Sequence, residues 1–198
     1  MRERGASFID AIEEFMPNPD FMTLFWGSLL RERDFRTETD YYGLLNAFML
    51  GILEGADPGT RIIDGDERAY YYTTAQDYLD GRNLVNGSHS IGGRNVLTDL
   101  IPGPDQAKYL AQVEYGSAIA ANAGITTTAT LMEQRVFWAM DTAERYVWFW
   151  TYNGGNSVEI GLGPPLGYIA DLNVDPDMPP AIRRARNIVN ANKELGLP

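Results

Sequence analysis

The sequence contains no cysteine and a single histidine, His89, among its 198 residues. The lack of cysteine excludes disulfides, thiolate metal ligands and cysteine nucleophiles, and one histidine cannot form a multi-histidine metal site. No apolar run approaches the ~18 to 20 residues of a membrane-spanning helix, and the first five residues lack the apolar core of a signal peptide. We therefore expect no cofactor and a cytoplasmic protein, or a secreted one if the natural chain is longer.

Positive charge is also scarce, because 16 Lys and Arg stand against 27 Asp and Glu, for a formal net charge of −11. Binding to nucleic acid or to an anionic membrane surface needs clustered cations. The densest basic cluster is Arg183, Arg184 and Arg186 in a predicted terminal helix, where it indicates an exposed helical face. The composition predicts neither a nucleic-acid partner nor a membrane partner.

The apolar residues instead follow helical and strand patterns in alternation. Helix–strand units in succession predict a parallel α/β arrangement with right-handed crossovers. With no internal repeat and no linker, residues 1–198 are expected to form a single domain that ends in a helix at about 179–195. The predicted elements are helices at 5–16, 39–54, 73–84, 104–122, 129–143 and 179–195, and strands at 21–26, 60–64 and 146–152.

Three segments, in this order, resemble the later part of microbial glycoside-hydrolase-like (β/α)8 barrels. They are Phe-Trp-Gly-Ser at 25–28, the stretch from Tyr-Gly-Leu-Leu-Asn-Ala-Phe at 42–48 to Ile-Ile-Asp-Gly-Asp-Glu at 62–67, and Phe-Trp-Ala at 137–139 ahead of Tyr-Val-Trp-Phe at 146–149. A complete barrel has eight strand–helix units in ~250 residues, so the resemblance implies a partial (half) TIM barrel. A half barrel leaves two sheet edges open, which predicts a homodimer.

The best site candidate is the acidic segment that follows the strand at 60–64. Ligands of parallel α/β proteins bind at the carboxyl ends of strands, where Asp64, Asp66 and Glu67 stand around Gly65. Glycoside hydrolysis uses two carboxyl groups, and Glu67 is predicted to be one, with Asp64 or Asp66 as its partner. Two other interpretations are that these acids cap the next helix or bind Ca²⁺ or Mg²⁺, although no EF-hand spacing is present.

Further candidates come from other predicted strand and helix ends. Glu133, early in the helix at 129–143, is a candidate for the second carboxylate. Aromatic residues at strand ends could stack on sugar rings, and a tyrosine after Glu67 could hydrogen-bond a catalytic carboxylate. The predicted substrate-binding residues are Trp26, Tyr70, Trp150, Tyr152 and Asn153.

These residues favour a carbohydrate-active hydrolase in which Glu67 is the general acid/base or the nucleophile. One alternative is a non-catalytic carbohydrate-binding or incomplete barrel fragment. A second is an esterase-like serine hydrolase that uses Ser88 or Ser90 with His89, although the sequence has no Gly-x-Ser-x-Gly nucleophile motif.

Overall fold

The computed structural model describes residues 1–31, 43–90, 92–120, 128–150 and 177–194. Short 3-10 turns lie at Gly27–Arg31, Glu67–Tyr71 and Gly103–Asp105. The described helices are α1 Arg2–Phe15, α2 Gly43–Gly55, α3 Ala75–Val85, α4 Val96–Asp99, α5 Gln106–Gln112, α6 Ala129–Thr142 and α7 Met178–Glu194. The described strands are β1 Asp20–Thr23, β2 Arg61–Asp64, β3 Val113–Tyr115, β4 Ser117–Ala120 and β5 Val147–Trp150.

The strands form two small parallel sheets. In the first, β2 lies between β1 and β3, with Met22 opposite Ile63 and Ile63 opposite Glu114. In the second, β4 pairs with β5. Only Gly116 separates β3 from β4, and its amide donates to the carbonyl of Asp64 at 2.7 Å. The expected parallel α/β class is confirmed, and the sheets do not close into a barrel within the described residues.

The helix predicted at 104–122 is wrong beyond Gln112. The observed helix, α5, ends there, and the chain continues as β3 and β4. All four residues of β4, Ser-Ala-Ile-Ala, are buried, so this strand shows no alternation of polar and apolar residues. A short segment that is buried on every side has the same apolar sequence pattern in a helix as in a strand. Its alanines then favour a helix by propensity alone. Burial between neighbouring elements decides the conformation instead.

Most other predicted elements are confirmed with shifted ends. The strand predicted at 21–26 is shorter at its carboxyl end, because β1 ends at Thr23. The strand predicted at 146–152 corresponds to β5, which begins at Val147, and its part after Trp150 lies outside the described residues. Part of the helix predicted at 39–54 lies outside the described residues, and α2 begins at Gly43. The helices predicted at 5–16, 73–84, 129–143 and 179–195 correspond to α1, α3, α6 and α7.

Two clusters of buried side chains support the sheets. The first joins α1 and α2 to the first sheet and includes Ile9, Ile52, Ile62 and Val113. Helices α1 and α2 approach closely at glycines, and a Cβ on Gly51 would overlap the carbonyl oxygen of Arg2. The second cluster lies around β4 and α6, and Ala185 of α7 joins it. The carboxyl end of β2 lies between these two clusters.

Candidate functional site

The site is built where the chain leaves β2. A turn through Gly65 and Asp66 leads into the 3-10 turn Glu67–Tyr71. The amide of Gly65 donates to the carbonyl of Thr23 at 2.8 Å, and the amide of Glu67 donates to the carbonyl of Leu24 at 3.0 Å. A Cβ at position 65 would lie 2.7 Å from the Thr23 oxygen, so this approach requires glycine. The turn that carries Glu67 is thus fixed against the end of β1.

Asp64 holds the segment after β1 to the segment after β2. Its side chain is fully buried. Oδ2 accepts from the amides of Trp26 at 3.2 Å and Ser28 at 2.9 Å, and Oδ1 accepts from the Ser28 hydroxyl at 2.6 Å and the Asp66 amide at 3.1 Å. Burial raises the pKa of Asp64, although these four hydrogen bonds oppose the shift. The contacts make Asp64 a structural acceptor with no surface to offer a substrate.

Asp66 is equally buried and turns toward α3. Its backbone is left-handed, with a φ of 40°, which lets the chain reverse between strand and turn. The Tyr115 hydroxyl donates to its Oδ2 at 2.9 Å. A Cβ on Gly81 would come within 2.6 Å of that same oxygen, so α3 packs directly on the carboxylate. The Asp66 side chain forms no cap hydrogen bond to the 3-10 turn, which does not support the helix-cap interpretation there.

Glu67 differs from both aspartates because it is only half-buried. Burial raises the pKa of its carboxyl group. No hydrogen bond or ion pair to this carboxylate exists within the described residues. Tyr71, one turn further on, is 51% exposed, and the Arg68 guanidinium lies 4.8 Å from the centre of its ring. Glu67, Arg68 and Tyr71 are therefore the accessible part of the segment, and sequence reasoning missed Tyr71.

Tyr70 forms the floor beneath this turn. Its ring is buried and packs edge-to-face against Trp148, with 5.5 Å between the ring centroids. The Trp148 indole donates to the carbonyl of Gly65 at 2.8 Å, which joins β5 to the turn after β2. Burial, and then the charge of Glu67, raise the pKa of Tyr70 well above its ordinary value. The floor of the site is thus aromatic and protonated at neutral pH.

Arg135 of α6 supports the turn from the interior. Its side chain is fully buried. It donates to the carbonyls of Ala69 at 3.2 Å, Tyr70 at 2.6 Å and Ala120 at 3.0 Å. The guanidinium therefore ties the turn to the end of β4. Sequence reasoning missed this residue because an arginine within an amphipathic helix is ordinarily exposed.

Two other predicted residues are engaged in contacts within the fold. Trp26 is fully buried, its indole donates to Asn46 Oδ1 at 3.1 Å, and it has no surface on which a sugar could stack. Glu133 forms an ion pair with Arg184 of α7 at 2.6 Å, which lowers the pKa of Glu133. This ion pair joins α6 to α7. Trp150 is the last described residue of β5, and Tyr152 and Asn153 lie outside the described part of the chain.

The esterase-like arrangement is not assembled in the described residues. Ser88 and His89 are exposed, and the Ser88 hydroxyl lies 3.2 Å from the carbonyl of Asn83 and 3.4 Å from His89 Nδ1. A catalytic triad requires a third group that orients the histidine. Within the described ranges no side chain other than Ser88 hydrogen-bonds to the ring of His89, and Ser90 is exposed as well.

The wider features of the chain add little to this picture. Among the described residues, no group of three or more acidic, histidine or cysteine side chains is arranged to hold a metal ion. None of the described helices has the length and apolar character needed to cross a bilayer. The chain matches no protein-family model, no curated protein and no solved structure. The function must therefore be inferred from the geometry around Glu67.

Proposed function

We propose that the chain is a carbohydrate-active hydrolase built on half of a TIM barrel, with Glu67 as its general acid. The observation that carries the proposal is the environment of this carboxyl group. It lies at the carboxyl end of β2, remains half-exposed, and has a pKa raised by burial. A general acid must hold its proton at the working pH, and glycosidases obtain such an acid by partial burial.

The order of the strands supports the half-barrel part of the proposal. In a TIM barrel each parallel strand lies beside the next one in the sequence. Here β1 pairs with β2, β2 with β3, and β4 with β5, while β3 and β4 are successive parts of one stretch of chain. Catalytic groups of such barrels stand at the carboxyl ends of the strands, which is where Glu67 lies.

Tyr71 is the proposed contact to the sugar. Its exposed ring follows Glu67 within a single 3-10 turn. Sugar rings present apolar C–H faces that pack on aromatic side chains, whose own polar end stays in water.

A series of aryl glycosides with leaving groups of increasing basicity tests the role of Glu67. A leaving group that needs protonation loses most when the acid is removed, so Glu67→Gln should lower kcat/KM about 10²–10⁴-fold for basic leaving groups and little for activated ones. Glu133→Gln is the matched control, because Glu133 pairs with Arg184 in the helical layer. Equal activity of wild type and Glu67→Gln across the series would contradict the proposal.

The dependence of activity on pH gives a second measurement, for which the direction of the change is predicted. A general acid works in its protonated form, so activity should fall as the pH rises through the pKa of Glu67. Because burial raises this pKa, the fall is expected above the ordinary range for glutamate. In Glu67→Gln the residual activity on activated substrates should lose this dependence on pH. A fall that persists unchanged in the variant assigns the titration to another group.

A second candidate is a carbohydrate-binding protein without turnover. Hydrolysis of a glycoside uses two carboxyl groups, and the structure buries Asp64 and Asp66 and pairs Glu133 with α7. In this case titration with oligosaccharides should quench Trp fluorescence without product release. Tyr71→Ala should weaken this binding, whereas Tyr146→Ala, which alters an exposed tyrosine bonded to Asp20 at the amino end of the strands, should not.

A further inference from the structure

The two outer strands of the sheets carry open edges. Within the described residues, β1 pairs only with β2, and β5 pairs only with β4. All the pairings are parallel, so the two open edges run in the same direction. Open edges attract another strand, and most proteins cover them.

Helix α1 stands over the first open edge with a second apolar face. Its inner face packs on α2 through Gly5 and Ile9. Phe8 is 43% exposed and Phe15 85% exposed, and the Phe8 ring contacts both Phe48 of α2 and Phe21 of β1, with 5.7 Å and 5.9 Å between the centroids. Exposed apolar side chains that are grouped in this way mark a contact surface.

A groove lies beside the second open edge. Its volume is about 320 Å³, and Phe149 of β5, 40% exposed, lies on its wall. The described residues therefore leave the side chains of β5 that face the helical layer incompletely covered. The walls of the groove are apolar and include Val147 and Ile182, and Arg145, Arg186 and Lys193 form a basic rim.

We propose that α1 of a second copy of this chain fills the groove, and that α1 of the first copy fills the groove of the second in the same way. The charges of the two surfaces are complementary. Asp10 and Glu14 are exposed on α1, while Arg186 and Lys193 rim the groove. Within the described residues Asp10, Glu14 and Arg186 form no ion pair, so their charges are available to a partner.

The same arrangement closes the strand edges. Because α1 lies over β1, seating α1 in the groove brings β1 of one copy alongside β5 of the other in parallel. Two-fold symmetry makes the two junctions identical. The described part of each copy contributes β1, β2, the β3–β4 stretch and β5, so two copies would supply the eight strands of a closed barrel. This inference does not depend on the proposed hydrolase activity.

Charge reversal and complementation test the interface by analytical ultracentrifugation. The wild type should be a dimer at ~10 µM. Asp10→Lys with Glu14→Lys places lysines opposite the basic rim, and Arg186→Glu with Lys193→Glu places acids opposite α1. Each double variant alone should raise the dissociation constant at least ~10-fold. Mixed in equal amounts they should recover the dimer, because both junctions of the mixed pair then join opposite charges.

The control changes charge on a helix that the interface does not use. Gln76→Lys with Asp80→Lys alters one exposed and one half-buried residue of α3 and should leave the dissociation constant unchanged. Circular dichroism of every variant checks that the fold is retained, and recovery on mixing excludes misfolding as the cause of dissociation. A wild type that is monomeric at ~100 µM overturns the proposal. A dimer that both charge reversals leave intact, or variants that do not recover on mixing, also overturn it.

Discussion

Replacement of Asp64 tests whether this residue serves the fold or the chemistry. The carboxylate is buried at the junction of the segments that follow β1 and β2. It accepts from the backbone amides of Trp26, Ser28 and Asp66 and from the Ser28 hydroxyl. Asp64→Ala removes every one of these acceptors at once. Asp64→Asn keeps the shape and one acceptor oxygen but turns an NH₂ group toward donors.

The expected cost follows from the groups left behind. Asp64→Ala leaves three buried amides without an acceptor, and each such donor costs about 1–3 kcal/mol. The hydroxyl can rotate to another acceptor, and water entering the vacated space recovers part of the loss. We therefore expect the free energy of unfolding to fall by about 3–5 kcal/mol, a large share of the ~5–15 kcal/mol typical of a domain. Asp64→Asn should cost about 1–2 kcal/mol, since fewer bonds are lost.

The pH dependence of stability provides an independent test, in which the direction of the change is predicted. Burial raises the pKa of Asp64 in the folded chain above its ordinary value. A group of this kind stabilises the fold fully below its unfolded pKa of about 4, and that contribution is lost as the pH rises through the folded pKa. Wild type should accordingly lose the contribution of Asp64 on going from about pH 4 toward neutrality. Asp64→Asn cannot ionise and should not show this loss.

Urea unfolding followed by Trp fluorescence measures both effects, provided that the m-value stays constant. Ser28→Ala is the graded control, because it removes only the hydroxyl donor and should cost about 1 kcal/mol. Glu67→Gln, which alters a half-exposed carboxylate, should leave the midpoint nearly unchanged. The reasoning fails if Asp64→Ala costs less than about 1 kcal/mol, or if wild type and Asp64→Asn share the same dependence on pH.

Two further predictions concern contacts that hold the layers together, and urea unfolding measures both. Gly51→Ala should cost about 2–3 kcal/mol because its Cβ would overlap a carbonyl oxygen of α1, whereas Gly103→Ala, with open space around it, should stay within about 0.5 kcal/mol of wild type. Arg135→Leu should cost about 2–4 kcal/mol, since three buried carbonyls lose a charged donor, and Arg135→Lys should recover part of that loss. A cost for Gly51→Ala no larger than for Gly103→Ala would contradict the observed helix approach.

The elements that could be predicted are those with one buried and one solvent-facing side. In α6 and α7 the buried positions recur at helical spacing, as with Ala181, Ala185 and Val189. In β5 a run of β-branched and aromatic residues marks a strand by propensity. The β3–β4 stretch lacks both signals because helices and strands enclose it, and its conformation depends on neighbours that are distant in the sequence. The failure at 113–120 follows from that burial.

The position of the candidate site could also be predicted, but the roles of its acids could not all be assigned. A strand that ends in Asp-Gly-Asp-Glu places carboxylates at the carboxyl edge whatever their roles. Which tyrosine after Glu67 is exposed depends on the 3-10 turn, a conformation that the sequence does not signal, and it leaves Tyr71 outside and buries Tyr70. Arg135 became part of the site only through the packing of α6.

The alternating directions of the side chains along β2 distinguish the role of Asp64 from that of Glu67. Residues two apart in a strand share a face, and Ile62 belongs to the buried cluster under the helices. Asp64 must then point toward the same interior and needs donors there, which the segment after β1 supplies. The left-handed backbone at Asp66 ends this alternation, so the side chain of Glu67 is the first to leave the interior. In a strand-end acid cluster, the acid beyond the backbone reversal is therefore the one to test for chemistry, and the acid within the strand is the one to test for stability.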